Sequence, residues 1–299
     1  MNKLKIIDLF CGSGGFTLGF LKEKFEVQLA IDHDPYCEQV YKKNLPTTNF
    51  VLQNLSQINK KIFLGLKPDV VVGGPPCQGF STIGSRISSI EKKREKKDIR
   101  NNLVFSFIEH VNYLNPKIFL MENVSGILTR DKGEIFHELT KKIKKFGYKY
   151  EVFKLDAVNY GVPQFRKRVF IIGTKDEKYK ISKPNITHGE NFLLEEEIKI
   201  NSVIKDLAKI KINESINHVP LKHKPTNLKR YRLIPEGGRL PEEKLPKELF
   251  RKNFGNTFKR LHKNKPSLTM VPGHNAFPIH PWLDRSLTVR EAARIQTYP

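Results

Sequence analysis

Residues 5–15, KIIDLFCGSGG, decide how this chain is read. An apolar run of strand length meets a glycine-rich turn, and FTLGFLKEKF at 16–25 follows with helical spacing and a basic outer face. Strand, tight turn and helix in that order form the opening unit of a doubly wound sheet, with the turn at the strand end where such sheets bind ligands. The glycines at 12, 14 and 15 are followed by Phe16 and Gly19, so the GxGxxG spacing of dinucleotide binders is missing. Glycine lets backbone approach a phosphate or a cofactor closely. A plain tight turn in another α/β protein would look the same.

The pattern extends outward from this unit. VQLAID at 27–32 reads as a second strand ending in Asp32, either an acceptor for two ribose hydroxyls or a solvated strand end. DVVVGG at 69–74 runs straight into Pro75, Pro76 and Cys77. NNLVFSFIEHVNYL at 101–114 suits a helix, and Pro116 resets the chain before the strand KIFLMEN at 117–123. EIFHELTKKIKKF at 134–146 predicts a helix stopped by Gly147. Two further strands, YEVFKLD at 150–156 and RVFIIGT at 168–174, flank a polar turn with Tyr160, Gly161 and Pro163. Strands rich in Ile, Val and Phe alternating with helices predict an α/β fold, a doubly wound, mostly parallel sheet covered on both faces.

After residue 175 the chain turns Lys-, Asn- and Pro-rich, with one helix expected at EEEIKINSVIKDLAKI (195–210). We therefore expect a first domain at 1–175, a smaller irregular one at 176–275, and a return segment at 276–299. In the last, Thr288 stands three residues before Glu291 and opens the helical run REAARIQ as a capping box.

Composition narrows the function classes. The 299 residues include 20 Phe and are 38% hydrophobic, which excludes disordered, collagen-like and purely coiled-coil chains. Lys plus Arg number 53 and Asp plus Glu 31, a net charge of +22 that favours an anionic partner. Nucleic acid leads over a membrane surface, because the basic residues lie between apolar strands and not on one amphipathic helix. Three cysteines, Cys11, Cys37 and Cys77, argue against a disulfide framework and for a reducing cytoplasm. None has a partner at zinc spacing, so no metal is expected. No segment approaches 18 consecutive apolar residues, and a soluble protein is expected.

Cys77 leaves a strand through a Gly-Pro loop and should stand at the sheet's binding edge, whereas Cys11 and Cys37 read as small packing residues. Glu122 and Asn123 end a neighbouring strand, an odd place for a core glutamate. Gln164, Arg166 and Arg168 alternate before the last strand, so their side chains share one face, facing either a ligand or plain solvent.

Taken together, these residues resemble the DNA cytosine-5 methyltransferases of bacterial restriction–modification systems. The matching pieces are DLFCGSGGFTLGF (8–20), the acid of IDHD (31–34), GGPPCQGFS (73–81), ENV (122–124), QFRKR (164–168) and RSLTVREAARIQTYP (285–299). They follow the family's linear order over nearly the whole chain, and 175–275 falls where the family keeps its target recognition domain.

The resemblance implies an S-adenosylmethionine site built from Phe10, Gly12, Gly14, Asp32, His33, Asn54 and Pro75, with Phe10 on the adenine. Two positions depart from the family: Asn54 replaces an aspartate but keeps an acceptor carbonyl, and His33 replaces an aromatic, which weakens stacking. S-adenosylhomocysteine would be the product, and no metal is needed. Cys77 would be the nucleophile that adds to C6 of cytosine, with Glu122 donating to N3, Arg168 holding O2 and Arg166 supporting the cysteine loop. The base must be flipped out of the duplex to be reached. The stretch 81–100, with Ser81, Arg86 and Arg100, would close over DNA. Asp98, Arg100 and Asn101 match a family pattern there. Arg230, Arg232, Arg239, Arg251 and Arg260 are candidates to touch bases or phosphates.

The implied partners are double-stranded DNA and a cognate restriction endonuclease that forms no stable complex; the protein is expected to be a monomer of the bacterial cytoplasm, at work on the nucleoid, with no membrane role. Family members continue into a Gly-Asn segment and helix that complete the cofactor pocket. Past Pro299 that segment is cut away, left out or supplied by a second chain; a chain truly ending there should bind cofactor weakly and turn over little. Rival readings are a tRNA cytosine-5 methyltransferase, whose loop after Pro-Pro-Cys departs from GFSTIG, a non-catalytic DNA-binding relative lacking Cys77 or Glu122, and a Rossmann-type oxidoreductase.

Overall fold

The computed structural model describes residues 3–76, 102–250, 258–271 and 277–299. The chain divides into two compact units, one of Met1–Leu155 with Lys167–Pro184 and one of Asp156–Arg166 with Asn185–Pro299.

The first unit holds strands β1 (Lys5–Leu9), β2 (Glu26–Asp32), β3 (Phe50–Leu52), β4 (Val70–Gly73), β5 (Ile118–Asn123), β6 (Lys149–Asp156) and β7 (Lys167–Thr174). They form one sheet in the order β3-β2-β1-β4-β5-β7-β6. β3, β2, β1, β4 and β5 are parallel, and β7 pairs antiparallel to β5. The order reverses between β1 and β4, which opens a crevice at their C-terminal ends. This is the doubly wound, mostly parallel sheet that the sequence predicts; β3 is an addition to it.

Strand alternation sends side chains to two covered faces. Ile6, Val70 and Val72 pack with Phe16 and Phe20 of helix α1 (Gly15–Lys22). Ala30 meets Tyr41 and Leu45, which lie on or just beyond α2 (Pro35–Asn44). Ile7, Leu9, Val71, Phe119 and Ile171 face the other way, onto Phe107 and Val111 of α3 (Asn102–Leu114) and Leu139 and Ile143 of α4 (Glu134–Lys145). Gly73 marks how tightly the centre is packed: a Cβ there would lie 2.3 Å from the Leu9 carbonyl oxygen and 2.8 Å from the Phe107 ring. Gly147 follows α4 in the left-handed region, with its N–H on the Lys144 carbonyl, as expected of a helix stop.

Among its described residues the second unit has little regular structure: α5 (Ile200–Ile204), α6 (Pro225–Arg232), α7 (Val289–Ile295), short 3-10 turns and isolated bridges. The long helix expected at 195–210 is therefore corrected to one short α-helical stretch and a 3-10 turn at Leu207–Lys209. Its first residue is committed elsewhere, because Glu195 donates its N–H to the Thr187 carbonyl and accepts from Gly189 in a β-bridge with His188. Two small apolar clusters form, one around Ile200, Ile204, Leu261, Leu287 and Ile295, the other around Tyr231, Ile234, Phe258 and Ile279. Buried charge fills the gaps. The buried Arg260 guanidinium donates to the carbonyls of Tyr231, Ile234, His280 and Leu283 and to Asp284. Thr288 and Glu291 form the expected capping box on α7, and the Glu291 carboxylate also takes two 2.7 Å bonds from Arg285.

Candidate active site

The crevice of the first unit is lined by the turns that leave its strands. After β1, Phe10 and Gly12 take left-handed backbone, Gly14 follows at φ 88°, and the Gly14 N–H closes on the Cys11 carbonyl at 3.0 Å. A Cβ on Gly14 would come 2.8 Å from Leu45 Cδ1, so only glycine fits both the space and the backbone angle. Phe10 is partly buried against the main core.

Asp32 ends β2 and ties the two neighbouring turns together. Its Oδ2 accepts the Gly12 N–H at 2.9 Å and its Oδ1 the Asp34 N–H at 3.0 Å, while His33 Nδ1 lies 3.3 Å from Oδ1. Oδ2, with one donor on it, keeps a lone pair for a hydroxyl donor. Asn54, just past β3, is exposed and accepts the Ser56 N–H on Oδ1 at 2.8 Å. The glycine cradle and the acid beside it supply backbone access and acceptor oxygens of the kind an adenosine-bearing cofactor needs.

β4 leads to Gly74, Pro75 and Pro76; Cys77 lies outside the described residues. The Pro75 carbonyl accepts from Asn123 Nδ2 at 3.3 Å, and a Cβ on Gly74 would lie 3.4 Å from Glu122 Oε2. The chain entering Cys77 is thus set against the end of β5. There Glu122 meets Arg168, whose Nε lies 2.8 Å from Oε1, and the pair is mostly shielded at 25% and 17% side-chain exposure. Register explains the meeting: Glu122 stands opposite Phe170, so Arg168, two residues away on β7, shares its face. Arg168 Nη1 donates to the Lys167 carbonyl.

Other sequence-predicted residues are placed differently. Arg166 belongs to the second unit, where its N–H bonds Asp156 Oδ1 at 2.7 Å. Gln164 is fully buried beside Ser267, and among the described residues its side-chain amide has no hydrogen-bond partner. Arg230 is buried, with Nε on the Leu249 carbonyl and Nη1 on Asn227, and Arg260 is the interior staple described above; both are built into the fold instead of facing a ligand. Arg232, 67% exposed in its side chain, and the exposed Arg239 present themselves to solvent. Ser81, Arg86, Arg100 and Arg251, with the whole 81–100 stretch, lie outside the described residues. Sequence reading missed Asp8, Thr17 and Tyr41, which support the glycine turn from beneath. Their only signal is a polar residue inside an apolar strand.

Among the described residues no group of three or more His, Cys, Asp or Glu is arranged to hold a metal, and no helix is long and apolar enough to cross a membrane.

Comparison with known proteins converges on one family. The family model of the C-5 cytosine-specific DNA methylases matches residues 4–299. Type II methyltransferase M1.HphI of Haemophilus parahaemolyticus is 33% identical over 305 residues, covering 99% of this chain and 78% of its own. M.DdeI of Desulfomicrobium norvegicum is 31% identical over 336 residues, with 99% and 79% covered. A crystal structure assigned as a prophage-encoded DNA modification methyltransferase (E. coli) superposes with a TM-score of 0.75 at 25% identity, covering 99% of this chain and 89% of that one. With its crevice, its strand order and a family match along the chain, this protein belongs to the C-5 cytosine-specific DNA methylases and is a DNA cytosine-5 methyltransferase.

Proposed function

We propose that the chain methylates cytosine within one short duplex DNA sequence as the modification partner of a restriction endonuclease, using S-adenosylmethionine and a covalent Cys77 adduct. The observation that carries this reading is the Glu122–Arg168 pair set against Gly74 and Pro75, the backbone that delivers Cys77.

When bound, S-adenosylmethionine supplies the methyl group as a sulfonium electrophile. Gly12 and Gly14 would admit it to the turn, and Asp32 would accept from its ribose. Phe10, His33, Asn54 and Pro75 complete the set assigned to it. Cytosine C5 is a poor nucleophile until a thiolate adds across C6, so Cys77 activates a base flipped out of the duplex. Glu122, protonated, donates to N3 as charge builds on the ring. Arg168 uses Nε on Glu122 and Nη1 on Lys167, which leaves Nη2 for O2. Once C5 is methylated its proton leaves to water, and elimination frees Cys77. Arg166 is assigned a supporting role.

Residues 176–275 are assigned to target recognition, with Arg232 and Arg239 as phosphate or base contacts. Ser81, Arg86 and Arg100 are assigned to DNA as well. The protein would act as a monomer, without a stable endonuclease complex.

Base-resolution mapping of modified cytosines in plasmid DNA incubated with protein and S-adenosylmethionine tests the reading. Cys77→Ala should abolish methylation and keep DNA binding. Loss of DNA binding in that variant would instead assign Cys77 a structural role, and methylation of tRNA but not DNA would move the substrate class.

A further inference from the structure

A buried acid lies directly behind the glycine turn, and none of the steps above uses it. Asp8 sits inside β1 with no exposed surface, between β2 and β4. Its Oδ2 accepts the N–H and the hydroxyl of Thr17, at 3.0 and 2.8 Å. The Tyr41 hydroxyl donates to Thr17 Oγ1 at 2.8 Å, and the Tyr41 ring lies under Gly14, where a Cβ would come 3.2 Å from it. A chain of contacts therefore runs from Asp8 through Thr17 and Tyr41 to the underside of the cofactor turn. The other oxygen, Oδ1, is buried and has no hydrogen-bond partner among the described residues.

A carboxylate with one oxygen desolvated and unbonded is costly, and an acceptor for Thr17 alone could be a hydroxyl oxygen that carries no charge. The retained acid implies that its charge is used. We propose that Asp8 is a positioning residue acting as an electrostatic selector: its carboxylate favours a cationic methyl donor over the neutral thioether product in the turn it supports. The inference rests on the cofactor assigned under Proposed function. Donor and product share adenosine, amino and carboxyl groups and differ by the sulfonium charge and its methyl group, so a nearby negative charge discriminates between them.

The environment keeps this charge adjustable. Burial pushes the Asp8 carboxyl up to about 7, against the two Thr17 bonds, with a smaller push from the like charge of Asp32. The other titratable groups that feel its charge, in the turn and on α2, stay neutral near that pH, because burial pushes the Cys11 thiol and the Tyr41 hydroxyl far up. β4 contributes only Val72 opposite Asp8. His33, beside Asp32, is the remaining titratable neighbour, and a pH course owed to it would survive in Asp8→Asn.

The test is calorimetric titration of the full chain with S-adenosylmethionine and, separately, S-adenosylhomocysteine from about pH 6 to about pH 8.5. The sulfonium lowers the donor's amino pKa relative to the product's, so the ratio of the two dissociation constants measured in Asp8→Asn supplies the baseline that is subtracted. Preference for the donor should rise with pH, on the order of fivefold, as Asp8 ionises through about 7. Asp8→Asn should remove the rise centred near 7, leaving only the baseline that the ligands themselves set. Thr17→Ala removes a bond that favours the carboxylate and should move the midpoint to higher pH. A flat ratio in the unaltered protein, or a wild-type rise in Asp8→Asn, overturns the proposal. If Asp8→Asn does not fold, an unmoved midpoint in Thr17→Ala overturns it. Binding of neither ligand at any pH would overturn the cofactor assignment itself, and this proposal with it.

Discussion

The two units solve the same packing problem with opposite materials. The first joins strands whose apolar side chains fill both faces, and the polar groups buried among them, such as Asp8, Thr17, His110 and Asn123, are outnumbered by apolar ones. The second has two small apolar clusters and uses Arg230, Arg260, His280 and Glu291 as interior fasteners. A sheet core tolerates trimming, since each methyl group is one contact among many. A guanidinium holding four carbonyls and a carboxylate cannot be trimmed in steps, because its removal leaves several buried acceptors unpaired together. Irregular backbone thus depends on single residues where regular backbone depends on a pattern.

Substitutions can break or sharpen that contrast. Arg260→Ala should have the largest effect, about 3–5 kcal/mol, by leaving buried carbonyls without their donor. Hydrogen exchange should show protection lost in the second unit while β1 and β4 stay protected; equal loss in both would erase the distinction. Next, Glu291→Gln should cost about 2–3 kcal/mol in denaturant unfolding near pH 7. Its pH course carries a sign. Although burial pushes it up, two bonds from Arg285, with His280 Nε2 3.5 Å away, hold the Glu291 carboxyl well below the usual range. Its contribution is therefore present above the ordinary glutamate pKa and is lost as pH falls below about 4.5 toward the folded value. The gap between wild type and variant should close over that interval.

In the first unit, Ile171→Val should cost only about 1 kcal/mol, although the residue is fully buried. A larger loss would mean that the sheet core is as brittle as the polar one. Smallest in stability are Arg232→Ala and Arg239→Ala, within about 0.5 kcal/mol. Their effect belongs to DNA: each should lower the salt dependence of binding by roughly one unit of slope if the residue contacts a phosphate.

The same contrast decides what the sequence reveals. KIIDLF, VQLAID, DVVVGG and KIFLMEN are legible as strands because buried parallel strands must be continuously apolar. Phe50–Leu52 escapes because three residues carry no period. The turn glycines, Asp32 and Glu122 are legible by their places at strand ends. The burial of Arg230 and Arg260 is not, since an arginine in a basic, aperiodic stretch reads alike whether it points at phosphate or at the backbone behind it. Asp8 is readable as an anomaly in an apolar strand, but its bond to Thr17 requires the helix to be set beside it.

One feature of the sheet governs how the protein can be made. β7 lies between β5 and β6 although it follows both in the chain. While the ribosome is still delivering residues 156–166, β5 has an open edge and β6 has no neighbour to hold it. β5 ends at Asn123 and β7 at Thr174, so at translation rates of roughly 5–20 residues per second that edge stays bare for about 3–10 s, long enough to recruit another nascent strand. Slowing or speeding synthesis across this short interval is a direct handle on yield, with no change to the finished molecule.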